Sequence, residues 1–435
     1  MDSLIQNILT LSGSESGLQL LQQKKLKDVN KLLSKNKSSL RNALESLDPL
    51  THSLGYMSIL NYVSNHTDLP NSPHFLQLTK IFLLNCDADQ IQRDSFKFSN
   101  IAVRFGTMLF EQAPKFAILP LRNAINVLQR ESPHLLTAVH PIFVLCCIKA
   151  QCYHAALPIV QRPVYEVHTA EKTPFDPKSN LLYHYYSASI FIAFRKHELA
   201  LDCLQMALTA PSLALSEIQI ESYKKYVLLS LYIHGRLVEL PSFTCPSIYR
   251  HVAKLCEPYT SLAEAYAKGV LQLEECIQLH KDDFVKDENY GLVQQVLRRL
   301  VRRNIKNLTD TYITLSVDAI AEMAKTKDAR QAEDYILSMI EEGGIFAKID
   351  QQNGMVSFLG DDEDYATQEM ISNLDTNIHD IMSFWRRVQQ VNEEVSLDPK
   401  YINKTLKQNQ NVDQEMLLAQ QLSLADKDTQ MPMFR

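Results

Sequence analysis

"EEGGIFAKIDQQNGMVSF" (341–358) breaks a long run of helical pattern. Ile345, Ala347 and Ile349 alternate with Phe346, Lys348 and Asp350, and then Val356 and Phe358 alternate with Met355 and Ser357. A period of two over two short runs marks strands with one buried face. Asn353 and Gly354 between the runs both tolerate positive φ, so the stretch reads as a β-hairpin closed at Asn353-Gly354. A lone two-stranded hairpin is marginal in water. What surrounds it therefore decides what it is for.

Three helical patterns precede it. "GLVQQVLRRLVRRNIKNLTDTY" (291–312) sets Val293, Val296, Leu300 and Leu308 on one side, with Arg298, Arg299, Arg302, Arg303 and Lys306 mostly on the others. "SVDAIAEMAK" (316–325) is a short helix with Ser316 as its N-cap. "DARQAEDYILSMIEEGG" (328–344) is a third, with Asp328 and Gln331 spaced as a capping box and Gly343 at the C-cap. Helix, helix, helix, hairpin is the order of a winged helix, expected over about 291–360.

In a DNA-binding winged helix the third helix enters the major groove and the wing touches phosphates. Both tasks need positive charge. Residues 327–342 carry Lys327 and Arg330 against Asp328, Glu333, Asp334, Glu341 and Glu342, a net −3, and the hairpin has one lysine and one aspartate. This helix repels a polyanion. The arginines of 298–306 lie on the first helix, where they are expected to pair with acidic neighbours. A nucleic-acid adaptor using Arg298 to Lys306 is the alternative.

Further upstream, "KFAILPLRNAI" (115–125), "YHAALPIVQ" (153–161), "HELALDCLQMALTAP" (197–211) and "RLVELPSF" (236–243) recur at a helical-repeat period, each expected to open the second helix of a pair. Ala200, Leu204, Ala207 and Pro211 follow the tetratricopeptide ending, small residues for close approach and a proline to stop the helix. "RPVYEVHTAEKTPFDPKSN" (162–180) reads as a long exposed loop, and residues 1–60 as short amphipathic helices. Downstream, "GDDED" (360–364) is an acidic linker. Ile371, Leu374, Ile378, Ile381, Trp385 and Val388 then step by three and four residues alternately, a heptad seam.

Composition agrees with a mainly α chain. Eleven glycines in 435 residues is about 2.5%, against a usual value of about 7%. A net charge of −6 gives no general attraction to polyanions. The amino terminus lacks a signal-peptide pattern, and no apolar run is long enough to span a membrane. The eight cysteines form no C-x-x-C pair and read as reduced, buried thiols. A zinc site from Cys146, Cys147, Cys152 and His154 would lack the spacing of a knuckle. No Walker loop, H-E-x-x-H, H-x-H or G-x-S-x-G motif occurs, so no catalytic residue, metal ligand or cofactor is assigned. Single histidines such as His184 and His197 read as surface or satisfied core residues.

With repeats, winged helix and seam in place, the sequence resembles the PCI-domain scaffold proteins shared by the proteasome lid, the COP-nine signalosome and translation initiation factor three, the signalosome most closely. The resemblance rests on "HSLG" (52–55), "ESYKKYVLLSL" (221–231), "DENYGLVQQ" (287–295), "LTDTYITLS" (308–316) and above all "QAEDYILSMIEEGGIFAKIDQQNGMVSF" (331–358). It spans most of the chain from about 180 to 395. It implies a non-catalytic subunit, cytoplasmic and nuclear, in a complex that removes the ubiquitin-like modifier from cullins of cullin-RING ligases through a zinc centre on another subunit. Its partners would be other PCI-domain subunits, met through winged helices aligned in an arc and through a shared C-terminal helix bundle, with no membrane and no nucleic acid. The expected layout is a tetratricopeptide-like arm over 1–196, a PCI domain over 197–365, a bundle helix over 366–395 and a mostly disordered Gln-rich tail over 396–435. The expected partner-binding residues are Ile345, Phe346, Lys348, Met355, Val356 and Phe358 at the hairpin edge, with Ile371, Leu374, Ile378, Ile381, Trp385 and Val388 along the seam.

Overall fold

Proline punctuates this chain as a helix starter: among the described residues five helices carry proline in their first turn, where its missing N–H has no intrahelical partner to lose. The computed structural model describes residues 40–66, 73–130, 132–167, 175–211, 214–326, 328–359 and 367–406. Expectations for 1–39, the middle of the 162–180 loop, the acidic linker and the tail beyond 406 lie outside the described residues. The chain runs α1 (Leu40–Ser46), α2 (Ser53–His66), α3 (Pro73–Asn85), α4 (Ala88–Gln92), α5 (Ser95–Gln112), α6 (Pro114–Leu128), β1 (Leu135–Leu136), α7 (Val139–Lys149), α8 (Tyr153–Val160), β2 (Glu166–Val167), α9 (Pro177–Ala193), α10 (His197–Thr209) and α11 (Glu217–His234). Then follow α12 (Pro246–Leu255), α13 (Glu257–Lys268), α14 (Val270–Leu279), α15 (Lys281–Lys286), α16 (Tyr290–Thr309), β3 (Thr314–Ser316), α17 (Val317–Ala324), α18 (Ala329–Glu341), β4 (Ala347–Asp350), β5 (Met355–Phe358) and α19 (Gln368–Leu397). The fold is mainly α: helical repeats, a winged helix and a long C-terminal helix.

Helices α5, α7, α9 and α11 pack in succession, each beside the helix that follows or precedes it in a pair. Three of the four expected repeat openings fall in second helices, α6, α8 and α10. Ala200, Leu204 and Ala207 are fully buried, and Pro211 stands just past the end of α10. "RLVELPSF" is a correction, for it is not helical. α11 stops at Gly235, in the left-handed region at φ 71°, and Arg303 Nη2 donates to the Ile233 carbonyl at 2.8 Å, closing the helix end. Proline at 241 then drives Leu240 toward extended backbone. Within the expected 162–180 loop, β2 forms a strand that pairs in parallel with β1.

Close packing of the arm uses Gly106 in α5. A Cβ there would lie 2.7 Å from Ile142 Cγ1 and 3.1 Å from Leu121 Cδ1, so α6 and α7 approach only because it is absent. Gly106→Ala is expected to cost about 1–3 kcal/mol through overpacking, read as a lower denaturation midpoint.

One continuous core runs from Ala43 to Phe358. Where α11 meets the α15–α16 turn, Lys224 Nζ contacts Glu221 Oε1 at 2.6 Å and Asp287 Oδ2 at 2.9 Å. Tyr259 Oη donates to Asp287 Oδ2 at 2.9 Å and accepts from Asn289 Nδ2 at 2.9 Å. Burial works against the Lys224 ammonium, yet the bonds to Glu221 and Asp287 win and raise its pKa. The charge is therefore held in place by its partners. Lys224→Met strands two carboxylates and should cost about 3 kcal/mol. Hydrogen exchange would show it as faster opening of α11 and the first turn of α16.

The winged helix consists of α16, β3, α17, α18, β4 and β5. Its sheet has the order β3-β5-β4, antiparallel throughout. β3 is the element that the sequence reading missed, and it removes the paradox of a lone hairpin, because three strands against helices are stable where two are not. Ser316 Oγ caps α17 by accepting from Ala319 N at 3.2 Å, as expected. The capping box expected of α18 does not form, since Asp328 makes no side-chain cap bond. Its C-terminus closes as a Schellman motif, with Gly343 at φ 70°, Gly344 N donating to Met339 O and Gly343 N to Ile340 O.

The wing turn also differs from expectation. Asp350 and Met355 are the last paired residues, so the loop holds four residues, and only Gly354 has positive φ, at 61°. Asp350 organises the rest. Its carboxylate accepts from Gln352 N at 3.0 Å, Asn353 N at 3.4 Å and Asn353 Nδ2 at 2.8 Å, and these bonds, that of the Asn353 side chain foremost, hold its pKa below the usual carboxylate range. No atom stands where a Gly354 Cβ would go. Gly354→Ala should therefore cost only the backbone's left-handed penalty, about 1–2 kcal/mol, as local wing exchange.

Candidate partner-binding surfaces

The wing presents one inward and one outward face. Ile345, Val356 and Phe358 face inward and are buried in the core. That corrects their expected role, because a partner could touch them only by unfolding the wing. β5 is also the central strand, its backbone paired on both sides, so Met355 offers a side chain and no free edge. Phe346, Lys348 and Met355 are exposed together on the outer face. The sheet has two edges, β4 and β3. Beside β3, Ile313 is 80% exposed, and its carbonyl accepts from Phe358 N at 2.8 Å. Period two identifies which side chains point inward. It cannot identify which strand is central, and so the β3 edge was invisible in the sequence.

The basic stripe of α16 is largely engaged within the protein. Arg302 grips the Glu342 carboxylate with both guanidinium nitrogens, at 2.6 and 3.3 Å, and Ser338 Oγ at 2.9 Å. Arg303 closes α11 as described, and Arg299 lies over the Tyr232 ring at 5.4 Å. The expected ion pairing thus occurs at Arg302, while its neighbours use a carbonyl and an aromatic face. On α18, Glu333 accepts from Gln351 Nε2 at 2.9 Å, tying the acidic helix to the wing loop.

The chain separates into two compact units at Phe358/Leu359, and α19 belongs to the second. Thr367 Oγ1 caps it by accepting from Met370 N at 3.3 Å. Ile371, Leu374, Ile378, Ile381, Trp385 and Val388 share one stripe and are 48–67% exposed, and no residue of the helix is buried. Residues 399–406 are helical again, so the region expected to be a disordered tail begins with ordered chain. Tyr401, Ile402 and Leu406 there are also exposed.

Among the described residues no group of three or more His, Cys, Asp or Glu could hold a metal ion, and no helix is long and apolar enough to cross a membrane. All eight cysteines are free thiols, and burial pushes Cys146 up to about 11 and Cys147 to about 12. His184 and His197 were expected to be surface or satisfied residues. Each instead has a buried Nδ1 without a hydrogen-bond partner, and burial lowers both pKa values, His184 to about 4.

Comparison with known proteins adds a family. Residues 16–248 match the model of the N-terminal helical repeats of COP9 signalosome complex subunit 3, and residues 273–359 match the PCI domain. COP9 signalosome complex subunit 3 of Dictyostelium discoideum is 33% identical over 384 residues, 88% of this chain and 91% of the relative. The protein of that name from Arabidopsis thaliana is 32% identical over 424 residues, 95% of each chain.

Proposed function

This chain belongs to the COP9 signalosome subunit 3 family, and on that premise we propose that it is a non-catalytic scaffold subunit of a signalosome complex. In this reading it holds neighbours through its winged helix and adds α19 to a common helical bundle. The complex removes the ubiquitin-like modifier from cullins of cullin-RING ligases, with the hydrolytic centre on a different subunit, in cytoplasm and nucleus. The arm over 1–196, the PCI domain over 197–365 and the bundle helix over 366–395 are the proposed division of labour.

The observation that carries this reading is the exposed heptad stripe of α19. Six apolar side chains at alternating three- and four-residue steps, each about half exposed, form a seam that water disfavours and other helices would cover. The wing contributes Phe346, Lys348 and Met355 and the open edges of β4 and β3, which are templates for another chain's backbone. Mass spectrometry of intact complexes recovered with the tagged chain tests it. Other PCI-domain subunits of the signalosome should be recovered in equal amounts. Recovery of the chain alone, or with proteasome-lid or initiation-factor subunits, would overturn it.

The second reading is a nucleic-acid adaptor using Arg298 to Lys306. It is disfavoured by the intramolecular bonds of Arg302 and Arg303 and by the acidic third helix. Gel shifts at rising salt should detect no tight complex. Binding that is lost when Arg298, Arg299 and Lys306 are changed to glutamine would revive it.

A further inference from the structure

Helices α3 and α6 carry a surface that neither the wing nor the seam uses. They pack side by side, and Asn123 Nδ2 ties them by donating to the Leu83 and Leu84 carbonyls at 2.7 and 3.2 Å. Ala117, Leu121, Ala124 and Ile125 turn inward from α6 and are fully buried. Its other face runs Lys115, Phe116, Leu119 and Arg122, brought to one side by three- and four-residue steps. Phe116 is 64% exposed and Leu119 62%, the most exposed large apolar side chains of α1 to α10 among the described residues. Lys80 of α3 places its ammonium over the Phe116 ring, 5.4 Å from the centroid.

The charge around these apolar groups has one sign. Neither helix contains an aspartate or a glutamate. Lys80, Lys115 and Arg122 are their cations, and His74 is already bonded to Glu45 at 2.8 Å. Among the described residues none of the three cations makes an ion pair. The acids of the α4 region are engaged elsewhere. Asp87 caps α4, Asp89 pairs with Arg130, and Asp94 pairs with Lys97. Glu111, near the end of α5, is exposed and makes no ion pair with Lys115.

We infer that this surface docks an acidic amphipathic helix of another protein. Water disfavours the exposed Phe116 and Leu119, and a helix covers such a stripe with apolar side chains three and four residues apart. Cations on both sides of the stripe select carboxylates along the edges of that helix, through charge-assisted hydrogen bonds. Lys115 and Arg122 stand two turns apart, about 10 Å, so acids on successive turns of the partner reach both. Other polyanions match less well. Nucleic-acid sites draw on about 6–10 phosphate contacts and basic lipid-binding clusters on about 4–8 cations. This face has three, on a chain of net charge −6. The contact is separate from wing and seam, so it stands or fails without them.

Fluorescence anisotropy on the purified full-length protein tests it, with a labelled peptide of two Glu-Leu-Ala-Glu-Leu-Ala-Glu heptads as probe. Binding should weaken about tenfold in the Lys80→Gln/Lys115→Gln/Arg122→Gln variant. Phe116→Ser/Leu119→Ser should weaken it at least as much while leaving the denaturation midpoint in place, since neither side chain is buried. Lys268→Gln, on α13, should change nothing. Four results would each overturn the assignment: no binding at millimolar peptide, an unchanged curve for either multiple variant, equal binding of the peptide with lysine in place of glutamate, or tighter binding of a decauridylate or of phosphatidylserine vesicles through the same residues. Sedimentation that shows the chain pairing with itself through Phe116 and Leu119 would give the face to a second copy and overturn it too.

Discussion

Changing Ile378, Ile381 and Trp385 together to glutamate is expected to leave a folded protein that no longer enters its assembly. None of the three is buried, so the change removes no core side chain. Glutamate is a good helix former, so α19 itself survives. In a bundle the same side chains would each contribute about 1.5–3 kcal/mol on burial. Three losses, with carboxylates forced into an apolar layer, exceed about 5 kcal/mol and weaken association by more than about a thousandfold. Circular dichroism and the denaturation midpoint should match the parent protein while co-purifying subunits disappear. Continued co-purification with unchanged stoichiometry would remove the seam from the assembly. The wing variant Phe346→Asp with Met355→Asp, exposed at one face, then asks what the remaining surface holds.

The second large effect is acid sensitivity. His140 is buried in the first turn of α7, where Thr137 N donates to its Nδ1 at 3.1 Å, and His184 lies in α9 against Tyr183. Burial lowers both to about 4, from an ordinary 6.5. A depressed histidine pKa means that the unfolded chain takes up a proton which the folded chain refuses. The stability is therefore fully present above about pH 6.5 and is lost as the pH falls toward 4, by about 3 kcal/mol for each ring. Between these limits, unfolding should take up about two more protons than the carboxylates alone account for, a slope of about 2.7 kcal/mol per pH unit. Urea midpoints at pH 7, 6 and 5 measure it. His184→Gln should halve the slope, and an unchanged slope would mean that the rings are protonated in the folded protein.

Much of the fold was legible because its signals are local. Heptad spacing, the repeat openings at 115–125, 153–161 and 197–211, the Ser316 cap and the alternation at 345–358 each depend on a few neighbouring residues, and each reappears in the structure. The failures depend on distant groups. "RLVELPSF" has the pattern of its three relatives, yet Arg303, on another helix, closes α11 before it. "TLS" at 314–316 is too short to declare itself a strand, and becomes one only by pairing with β5. Asn353-Gly354 suggested one turn, and the Asp350 carboxylate selected another.

The sequence by itself determined that this chain is helical, that it carries a winged helix with an acidic third helix, and that its C-terminal helix bears a seam, because periodicity and charge are written residue by residue. Only the tertiary structure decided which strand is central, and hence that β5 offers no free edge while β3 and β4 do. It also decided that Arg302 and Arg303 of the basic stripe are bonded within the protein. Each of these depends on which side chains from distant segments come within hydrogen-bonding range, and that is settled by packing.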